Sequence, residues 1–430
     1  MGGLLMSKVV VIGGGWAGCA AAISARKLGA EVKLLERTDM LLGTGLVGGI
    51  MRNNGRFTAT EEMIAMGATE LFEVCDLNSL HTDIEFFGHK HASFYNVSVV
   101  EGKVRSLLHK MGIKTIFNMR GKAVTKRGNK IISVSLDDGT EINGDTYVDA
   151  TGTAGPMNNC KTLGNGCVMC IYRCPTFGGR ISISEKAGVS EYFTQREDGT
   201  NGAFSGSCKI VKESLAVDIQ EKLEQAGLCI IPVTPELQKE NVLSMKACQQ
   251  YARKEYQENI VLINCGHAKM MSPYYPLSVL RMVPGFESAR YADPLAGGVG
   301  NSIRLSQIAE IEPTMLAKGV ENLFCAGEKA GPFVGHTEAI VTGTLAGFNG
   351  VKLSEKEKLL TFPTSLAVGE GISYTLNEGK SEGKKCTFSG SSLFENLQEK
   401  NLYTTEKDKI VQRVKKEKLD NVFNHKIMMT

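Results

Sequence analysis

Apolar β-forming runs alternate with helix-forming runs along most of the chain, which is typical of an α/β protein. Residues 9–12 (VVVI) are fully apolar, residues 19–30 (CAAAISARKLGA) have the small side chains of a closely packed helix, and residues 31–36 (EVKLLE) return to a strand pattern. A strand that is apolar on both faces needs helices on both sides, as in a parallel sheet. The pattern therefore predicts a βαβ unit over residues 9–36.

The turn inside this unit reads Gly13-x-Gly15-x-x-Gly18, the spacing of a dinucleotide-binding loop between a strand and a helix. Gly13 permits the tight turn, Gly15 lets a pyrophosphate approach the backbone, and Gly18 lets the helix pack close to the strand. The helix N-terminus is then free to bind phosphates. Glu36, at the end of the second strand, is placed to accept hydrogen bonds from ribose hydroxyls. We predict dinucleotide binding; a merely glycine-rich turn is the alternative.

The pattern beyond residue 36 predicts further helices and strands. Helices are expected over residues 61–74, 214–227, 337–350 and 406–419, and β-like runs with a DDG hairpin turn are expected over residues 91–149. We divide the chain into a cofactor-binding domain (1–155), an inserted cysteine-rich α+β substrate domain (156–275), the second part of the cofactor-binding domain (276–355) and a polar, partly helical C-terminal extension (356–430).

Composition excludes several classes of protein. The chain has 430 residues and a formal net charge of +3, so no strong field for a polyanion is expected. No apolar run reaches membrane-spanning length, and the opening MGGLLMSK lacks the apolar core of a secretion signal. Twelve cysteines are not expected to form a disulfide framework in a chain of this size. We predict a cytoplasmic protein with no membrane partner.

Two more strand ends resemble the secondary motifs of two-dinucleotide-binding flavoproteins: residues 147–152 (YVDATG) and 322–328 (NLFCAGE). The resemblance implies FAD rather than NAD, and an α/β fold with a Rossmann-like FAD-binding domain of the two-dinucleotide-binding flavoprotein type. It puts Glu328 near the ribityl or phosphate portion of the flavin, and it starts a flavin-facing helix near His336 and Thr337. A solvated turn acid and a structural turn histidine are the alternatives.

Four stretches are similar to the GidA and TrmFO flavoproteins, which modify tRNA uridines. They are the glycine fingerprint, residues 46–70 with their glycine pair and acidic helix, residues 281–289 (RMVPGFESA), and residues 323–350 (LFCAGEKAGPFVGHTEAIVTGTLAGFNG). Together with the fingerprint, this resemblance implies a set of FAD contacts. The predicted contacts are Gly13, Gly15, Gly18, Glu36, Arg37, Gly48, Gly49, Thr151, Gly152, Gly327, Glu328, His336 and Thr337.

The chain also departs from these families. Gly43-Thr44-Gly45-Leu46 stands where TrmFO has its nucleophilic cysteine, His336 replaces the family's tyrosine, and the long C-terminal domain of GidA does not fit in the remaining residues. We therefore expect an FAD-dependent oxidoreductase that acts on a small-molecule substrate or electron carrier, with NAD(P)H as a candidate reductant and a homo-oligomeric assembly. A folate- and FAD-dependent RNA uridine C5-methyltransferase and a non-catalytic FAD-binding RNA-interaction protein are the alternatives. RNA is the less favoured partner, and no catalytic residue is assigned.

Four cysteines are concentrated in residues 160–175 (CKTLGNGCVMCIYRCP). Cys160, Cys167, Cys170 and Cys174 end in C-x2-C-x3-C-P, the spacing at the end of a ferredoxin cluster motif, although the first interval is longer than in ferredoxins. A [4Fe-4S] cluster close to the flavin is the leading hypothesis. A zinc site, a redox dithiol of Cys167 and Cys170, and four reduced core cysteines are the alternatives.

Three groups of polar residues indicate a function less clearly. His89 and His91 form a candidate metal pair, but we expect both to be surface residues near a turn. Arg52 and Arg56 are expected in a loop, either facing an anionic substrate or the flavin phosphates, or solvated. The basic segment 406–419 is expected to be a solvated amphipathic helix rather than an RNA contact.

Overall fold

A computed structural model describes residues 6–153, 176–193, 203–204, 208–238, 253–272, 274–292, 303–304, 307–379 and 386–424. Helices in these ranges begin and end as follows. They are α1 (Trp16–Lys27), α2 (Gly55–Ala65), α3 (Glu70–Leu77), α4 (Val100–Lys110), α5 (Ile183–Lys186), α6 (Val217–Ala226), α7 (Lys254–Glu258), α8 (Leu277–Leu280), α9 (His336–Ser354), α10 (Ala367–Glu378), α11 (Ser391–Glu399) and α12 (Lys407–Lys416). None of the helices in the described ranges is long and apolar enough to cross a membrane.

The strands form one parallel sheet and several small antiparallel sheets. They are β1 (Lys8–Ile12), β2 (Glu31–Leu35), β3 (Ile50–Met51), β4 (Ser79–Phe86), β5 (His89–Tyr95), β6 (Lys114–Ile116), β7 (Gly121–Arg127), β8 (Lys130–Leu136), β9 (Glu141–Asn143), β10 (Thr146–Asp149), β11 (Glu191–Phe193), β12 (Ala203–Phe204), β13 (Cys208–Ile210), β14 (Leu228–Pro232), β15 (Asn259–Asn264), β16 (Ala268–Met270), β17 (Ile303–Arg304), β18 (Gln307–Ala309) and β19 (Leu323–Cys325). The sheet orders are β19-β10-β1-β2-β6, β3-β5-β4, β7-β8-β9 and β13-β16-β15-β14, with the pairs β11-β18 and β12-β17.

The five-stranded parallel sheet confirms the predicted Rossmann-like α/β fold. Strand β1 pairs in parallel with β2 on one side and with β10 on the other, and β19 pairs with β10. Helices α1 and α9 lie against each other beside this sheet. A side chain on Gly343 would overlap the carbonyl oxygen of Ala17, and one on Gly347 would overlap that of Ala21. The two helices therefore pack backbone to backbone, which only glycine permits.

Two hydrophobic clusters make up the described core. The first surrounds the parallel sheet, and it includes C-terminal residues from Cys386 to Phe423. The second is built on the sheet β13-β16-β15-β14, and its buried residues run from Cys208 to Ala289. The C-terminal segment thus shares the core of the parallel sheet, although its sequence is polar. In helix α12, Ile410 and Val414 are buried, as the amphipathic pattern predicts.

Some elements differ from the predictions. Residues 61–74 were expected to form one helix, but α2 ends at Ala65 and α3 begins at Glu70, because Gly67 adopts a positive φ of 89° between them. Strand β4 was not predicted, since its mixed polar and apolar residues lie largely exposed at the edge of the sheet β3-β5-β4.

Candidate functional site

The glycine turn after β1 has two tightly packed positions and one open position. Gly13 has a φ of 103°, and a side chain there would overlap the carbonyl of Ala150. A side chain on Gly18 would overlap the carbonyl oxygen of Gly13. By contrast, a Cβ on Gly15 would meet no described atom within 4 Å. Gly13 and Gly18 therefore shape the turn, and Gly15 faces the space in which a pyrophosphate would lie.

Glu36 is buried and is hydrogen-bonded to this turn. Its carboxylate accepts hydrogen bonds from the backbone N–H of Gly14 (2.8 Å) and from the N–H and hydroxyl of Thr38 (2.8 and 2.9 Å). The next residue, Arg37, donates to the carbonyl of Gly178 at 2.6 Å. It lines an open cleft of about 450 Å³ together with Asn118, Arg120, Asp137, Thr176, Phe177 and Gly178. Arg37, itself a predicted cofactor contact, thus lines a cleft with room for a ligand.

The ends of β10 and β19 come together at the same edge of the sheet. The carboxylate of Asp149 accepts from the N–H and hydroxyl of Thr151, at 3.0 and 2.7 Å. Gly152 follows with a φ of 68°, and a Cβ there would meet no atom of the described residues within 4 Å. The hydroxyl of Thr153 donates to the carboxylate of Glu328, so the loops after β10 and β19 are directly joined.

Buried polar contacts hold the β19 loop in place. Gly327 has a φ of 65°, and its N–H donates to the hydroxyl of Thr342 in α9 at 2.9 Å. Lys329 is fully buried and forms an ion pair with Glu191 of β11. Glu328 is therefore part of a bonded network at a partly buried position, and it is not the solvated turn acid that was the alternative.

Helix α9 begins at His336, as the resemblance implies, and its first residues carry two polar atoms with no partner. The Nε2 atom of His336 and the hydroxyl of Thr337 are buried and have no hydrogen-bond partner among the described residues. Burial is the main cause that lowers the pKa of His336 well below its ordinary value, with Arg56 and Lys269 adding to it. The imidazole is therefore neutral near pH 7. Buried polar atoms are normally bonded, so these two fit a ligand atom at the helix N-terminus.

The glycine pair packs closely against residues of the first hydrophobic cluster. Gly49 has a φ of 110°, and a Cβ there would lie 2.8 Å from the Cβ of Cys265. A Cβ on Gly48 would lie 2.7 Å from the Tyr95 hydroxyl. Strands β13 and β16 hold the preceding loop: the ammonium of Lys209 donates to the carbonyl of Leu46 at 3.0 Å.

Lys269 makes the neighbouring contact, since its ammonium donates to the carbonyl of Val47 at 2.7 Å and also to that of Gly48. The sequence reasoning missed both lysines and Cys265. No local signal marks them, because their partners in the glycine loop lie more than 160 positions away in the chain.

Of the two interpretations left open for Arg52 and Arg56, the solvated loop is wrong: Arg52 lies in the loop before α2 but is paired, and Arg56 lies in the helix. Arg52 forms ion pairs with Asp76 and Glu61, and Arg56 lies in α2, buried, with its Nε atom 3.1 Å from both carboxylate oxygens of Glu338. Both guanidinium groups are therefore held by carboxylates, which removes the need for an anionic substrate at either residue.

The surface placement expected for His89 is also wrong. His89 is 2% exposed, its Nδ1 atom lies 2.7 Å from the amide nitrogen of Asn53, and its ring stacks on Phe86. Burial, followed by Arg56 and Arg253, lowers its pKa to about 3. His91 is partly exposed and lies 2.8 Å from Asp83. The HKH segment is the start of strand β5, where His89 is buried and His91 is paired with Asp83.

The cysteine quartet, Cys160, Cys167, Cys170 and Cys174, lies outside the described residues. Within the ranges that the structure describes, no group of three or more His, Cys, Asp or Glu residues is arranged to hold a metal ion. The cysteines in these ranges are buried: Cys19, Cys75, Cys208, Cys229, Cys265, Cys325 and Cys386.

Comparison with known proteins gives one family match and several relatives. The family model described as glucose inhibited division protein A matches residues 8–274 and 263–358. The methylenetetrahydrofolate–tRNA-(uracil-5-)-methyltransferase TrmFO of Enterococcus faecalis is 35% identical over 106 residues, which is 24% of this chain and 23% of that protein. TrmFO of Lactococcus lactis subsp. lactis is 32% identical over 91 residues, or 21% of this chain and 20% of the relative. The matched stretch therefore spans less than a quarter of these curated relatives.

Two solved structures have the same fold over almost the whole chain. Aquifex aeolicus GidA in its form II crystal is 15% identical, covers 96% of this chain and 76% of its own, and superposes with a TM-score of 0.65. The form I crystal of the same protein gives 15% identity, 96% and 79% coverage, and a TM-score of 0.64. At this level of identity the likeness concerns the fold alone.

Proposed function

The chain belongs to the glucose inhibited division protein A family, a family of FAD flavoproteins, and from this premise we propose that it is an FAD-dependent oxidoreductase. The observation that carries the proposal is the pair of buried polar atoms without a described partner, on His336 and Thr337, at the start of a long helix. That helix begins at the edge of the sheet where the glycine turn and the loops after β10 and β19 meet. A ligand with hydrogen-bonding edges would satisfy these atoms.

Each part of the site has a role in holding FAD. The open backbone at Gly15 and the N-terminus of α1 would bind the pyrophosphate, and the fixed carboxylate of Glu36 would accept from the ribose hydroxyls. Glu328, joined to Thr153, would orient the ribityl or phosphate portion. FAD would supply two-electron redox chemistry when bound, while the positive end of the α9 dipole would favour negative charge on the ring.

The test is the composition and absorption spectrum of the purified protein, prepared without oxygen. We expect flavin bands and one FAD per chain, and reduction of the flavin by NADH, NADPH or a one-electron carrier. A chain that takes up no FAD after reconstitution would contradict the proposal. FAD that binds but accepts electrons from none of these donors would favour the non-catalytic alternative. A small-molecule substrate or electron carrier, a homo-oligomeric state and a cytoplasmic location stay predictions.

Methyl transfer to an RNA uridine is the second candidate, because the curated relatives carry that activity in their names. The loop Gly43-Thr44-Gly45-Leu46 has no thiol, and the nearby Cys265 is buried, which raises the pKa of its thiol. A raised pKa disfavours the thiolate that a nucleophile needs. We therefore expect little or no 5-methyluridine from methylenetetrahydrofolate, reduced nicotinamide cofactor and unmodified tRNA. Robust product would make methyl transfer the leading function.

The cysteine quartet extends the proposal to one-electron chemistry. A cluster on Cys160, Cys167, Cys170 and Cys174 would pass single electrons to a flavin that transfers them in pairs. Support for the cluster is the spacing alone, since these residues lie outside the described part. The test for the cluster is the amount of iron and acid-labile sulfide per FAD. Both are measured after anaerobic purification of the parent and of Cys170→Ala. Less than one iron in the parent, or iron unchanged in the variant, would reject the cluster.

A further inference from the structure

A buried ion pair lies directly under the turn that starts helix α9. Arg56 of α2 donates from Nε to both carboxylate oxygens of Glu338, at 3.1 Å each, and from Nη2 to the carbonyl of Val334 at 3.0 Å. Gly335, between Val334 and His336, has a φ of 147°, and a side chain there would overlap both the Glu338 carboxylate and the Arg56 guanidinium. The pair therefore supports the turn from below, with no space between them.

The C-terminal segment 386–390 joins the same pair. The backbone N–H of Phe388 donates to Glu338 at 2.8 Å, and the N–H of Cys386 donates to the carbonyl of Pro332 at 3.2 Å. The side chain of Asn54, which precedes α2, donates to the carbonyl of Ser389 at 2.6 Å. The family match ends at residue 358, so this segment lies beyond it. The start of α9 is thus held by one residue of α2 and by a segment that the family match does not include.

We propose that Arg56 and Glu338 are a positioning pair that, with the Phe388 N–H, fixes His336 and Thr337 toward the cofactor, and that the segment 386–390 is therefore part of the cofactor site. This inference rests on the proposed binding of FAD. Neither residue needs to touch the cofactor, because their effect is to hold the helix N-terminus and its dipole in place. A lysine at residue 56 keeps the charge but cannot donate to Glu338 and Val334 through one rigid fork.

The experiment compares Arg56→Lys with Arg52→Lys. Arg52 is a matched control, because it is an arginine of the same segment that pairs with Asp76 and Glu61, and none of its polar contacts within the described ranges is to α9. FAD is titrated into each apo-protein by flavin fluorescence, and the midpoint potential of the bound flavin is measured by dye equilibration. For Arg56→Lys we expect at least a tenfold rise in Kd and a more negative potential. For Arg52→Lys we expect the Kd to stay within twofold of the parent value and the midpoint potential to stay close to that of the parent.

Each outcome has one meaning. A parent that does not bind FAD contradicts the proposed function. A parent that binds FAD, with a folded Arg56→Lys of unchanged Kd and potential, contradicts the positioning pair, even if the variant melts at a lower temperature. If Arg56→Lys does not fold, the double variant Arg56→Gln with Glu338→Gln replaces it, because it leaves no buried charge unpaired. For this double variant we expect the same rise in the Kd for FAD and a shift of the midpoint potential in the same, negative direction.

Discussion

The three glycines of the fingerprint differ in what surrounds them. The motif predicts a turn role for Gly13, a ligand role for Gly15 and a packing role for Gly18. The contacts of Gly13 and Gly18 agree with their predicted roles. Gly15 has negative φ and extended backbone, with no described atom within reach of a Cβ. Among the described residues there is therefore no steric reason for a glycine at residue 15, which agrees with the predicted ligand role.

Gly15→Val should leave the apo-protein folded and abolish FAD binding, since the new side chain occupies the approach to the backbone. Gly102→Val is the control, because a Cβ on Gly102, in α4, also meets no described atom within 4 Å. We expect both variants to keep the thermal unfolding temperature of the parent and only Gly15→Val to lose FAD in a fluorescence titration. Stoichiometric FAD on Gly15→Val would mean that the turn does not bind the pyrophosphate.

The local motif could be predicted from the sequence because its residues lie within 24 positions of one another. The partners of Arg56 and Lys269 could not, since Glu338 and Val47 lie 282 and 222 positions away. Hydrophobic patterns identify which face of an element is buried, but they do not identify the element that covers it. This is why the sequence left both a ligand-facing and a solvated loop open for Arg56, whereas the structure shows it in a buried ion pair with Glu338.

At the scale of elements, α2 joins the two ends of the chain. Thr58 accepts from the N–H of Thr404, Glu61 pairs with Lys407 at 3.0 Å, and Glu62 accepts from the N–H groups of Ala367 and Val368 at the start of α10. Because the acidic side chains of α2 each contact a C-terminal element, the predicted acidic helix is a docking face for the rest of its own chain. Its helical pattern was predictable, and its partners were not.

Glu62 should make stability depend on pH. Burial raises the pKa of its carboxyl from 4.5 to about 7, against the hydrogen bonds from Ala367 and Val368 and the charge of Arg413. A carboxyl whose pKa rises on folding holds its proton more tightly in the folded state. The free energy of unfolding therefore falls by roughly 3 kcal/mol as pH rises from about 4.5 to about 7.

Urea unfolding at a series of pH values measures this dependence. Glu62→Gln should lack most of the fall, while Glu61→Gln, one position earlier in the same helix, should retain it because Glu62 is still present. A Glu62→Gln variant with the same fall in stability as the parent would show that another group causes the dependence.

At the scale of the whole molecule, the polar C-terminal extension is part of the first cluster. Phe423 is 2% exposed, and its ring meets Phe348 and Phe362 edge to face, with centroids 5.1 and 6.0 Å apart. Single aromatic residues in a polar segment are a weak sequence signal. The fold class was therefore predictable, but the packing of the C-terminal segment against the first cluster was not. The second cluster, which extends past residue 275, depends on pairings between strands that are distant in the chain.

Phe423→Ala should destabilise the parallel-sheet domain as a whole, by about 3–5 kcal/mol for a buried aromatic residue. Leu77→Ala is the control, because Leu77 is 83% exposed at the end of α3, and its loss should change stability by about 0.5 kcal/mol or less. Chemical denaturation followed by flavin release and by circular dichroism should give the same lowered midpoint for Phe423→Ala. A loss below about 1 kcal/mol would mean that the C-terminal segment is only loosely attached.

The backbone contact between α1 and α9 has a consequence for motion. Where helices meet through side chains, a change of rotamer lets one slide past the other, but Gly343 and Gly347 leave no side chain between them and Ala17 and Ala21. We therefore expect α1, which begins at the glycine turn, and α9, which begins at His336, to move together as one rigid unit. We therefore expect any opening of the site to involve the loop at residues 46–48, which the ammonium groups of Lys209 and Lys269 attach to β13 and β16, rather than a displacement of α1 against α9.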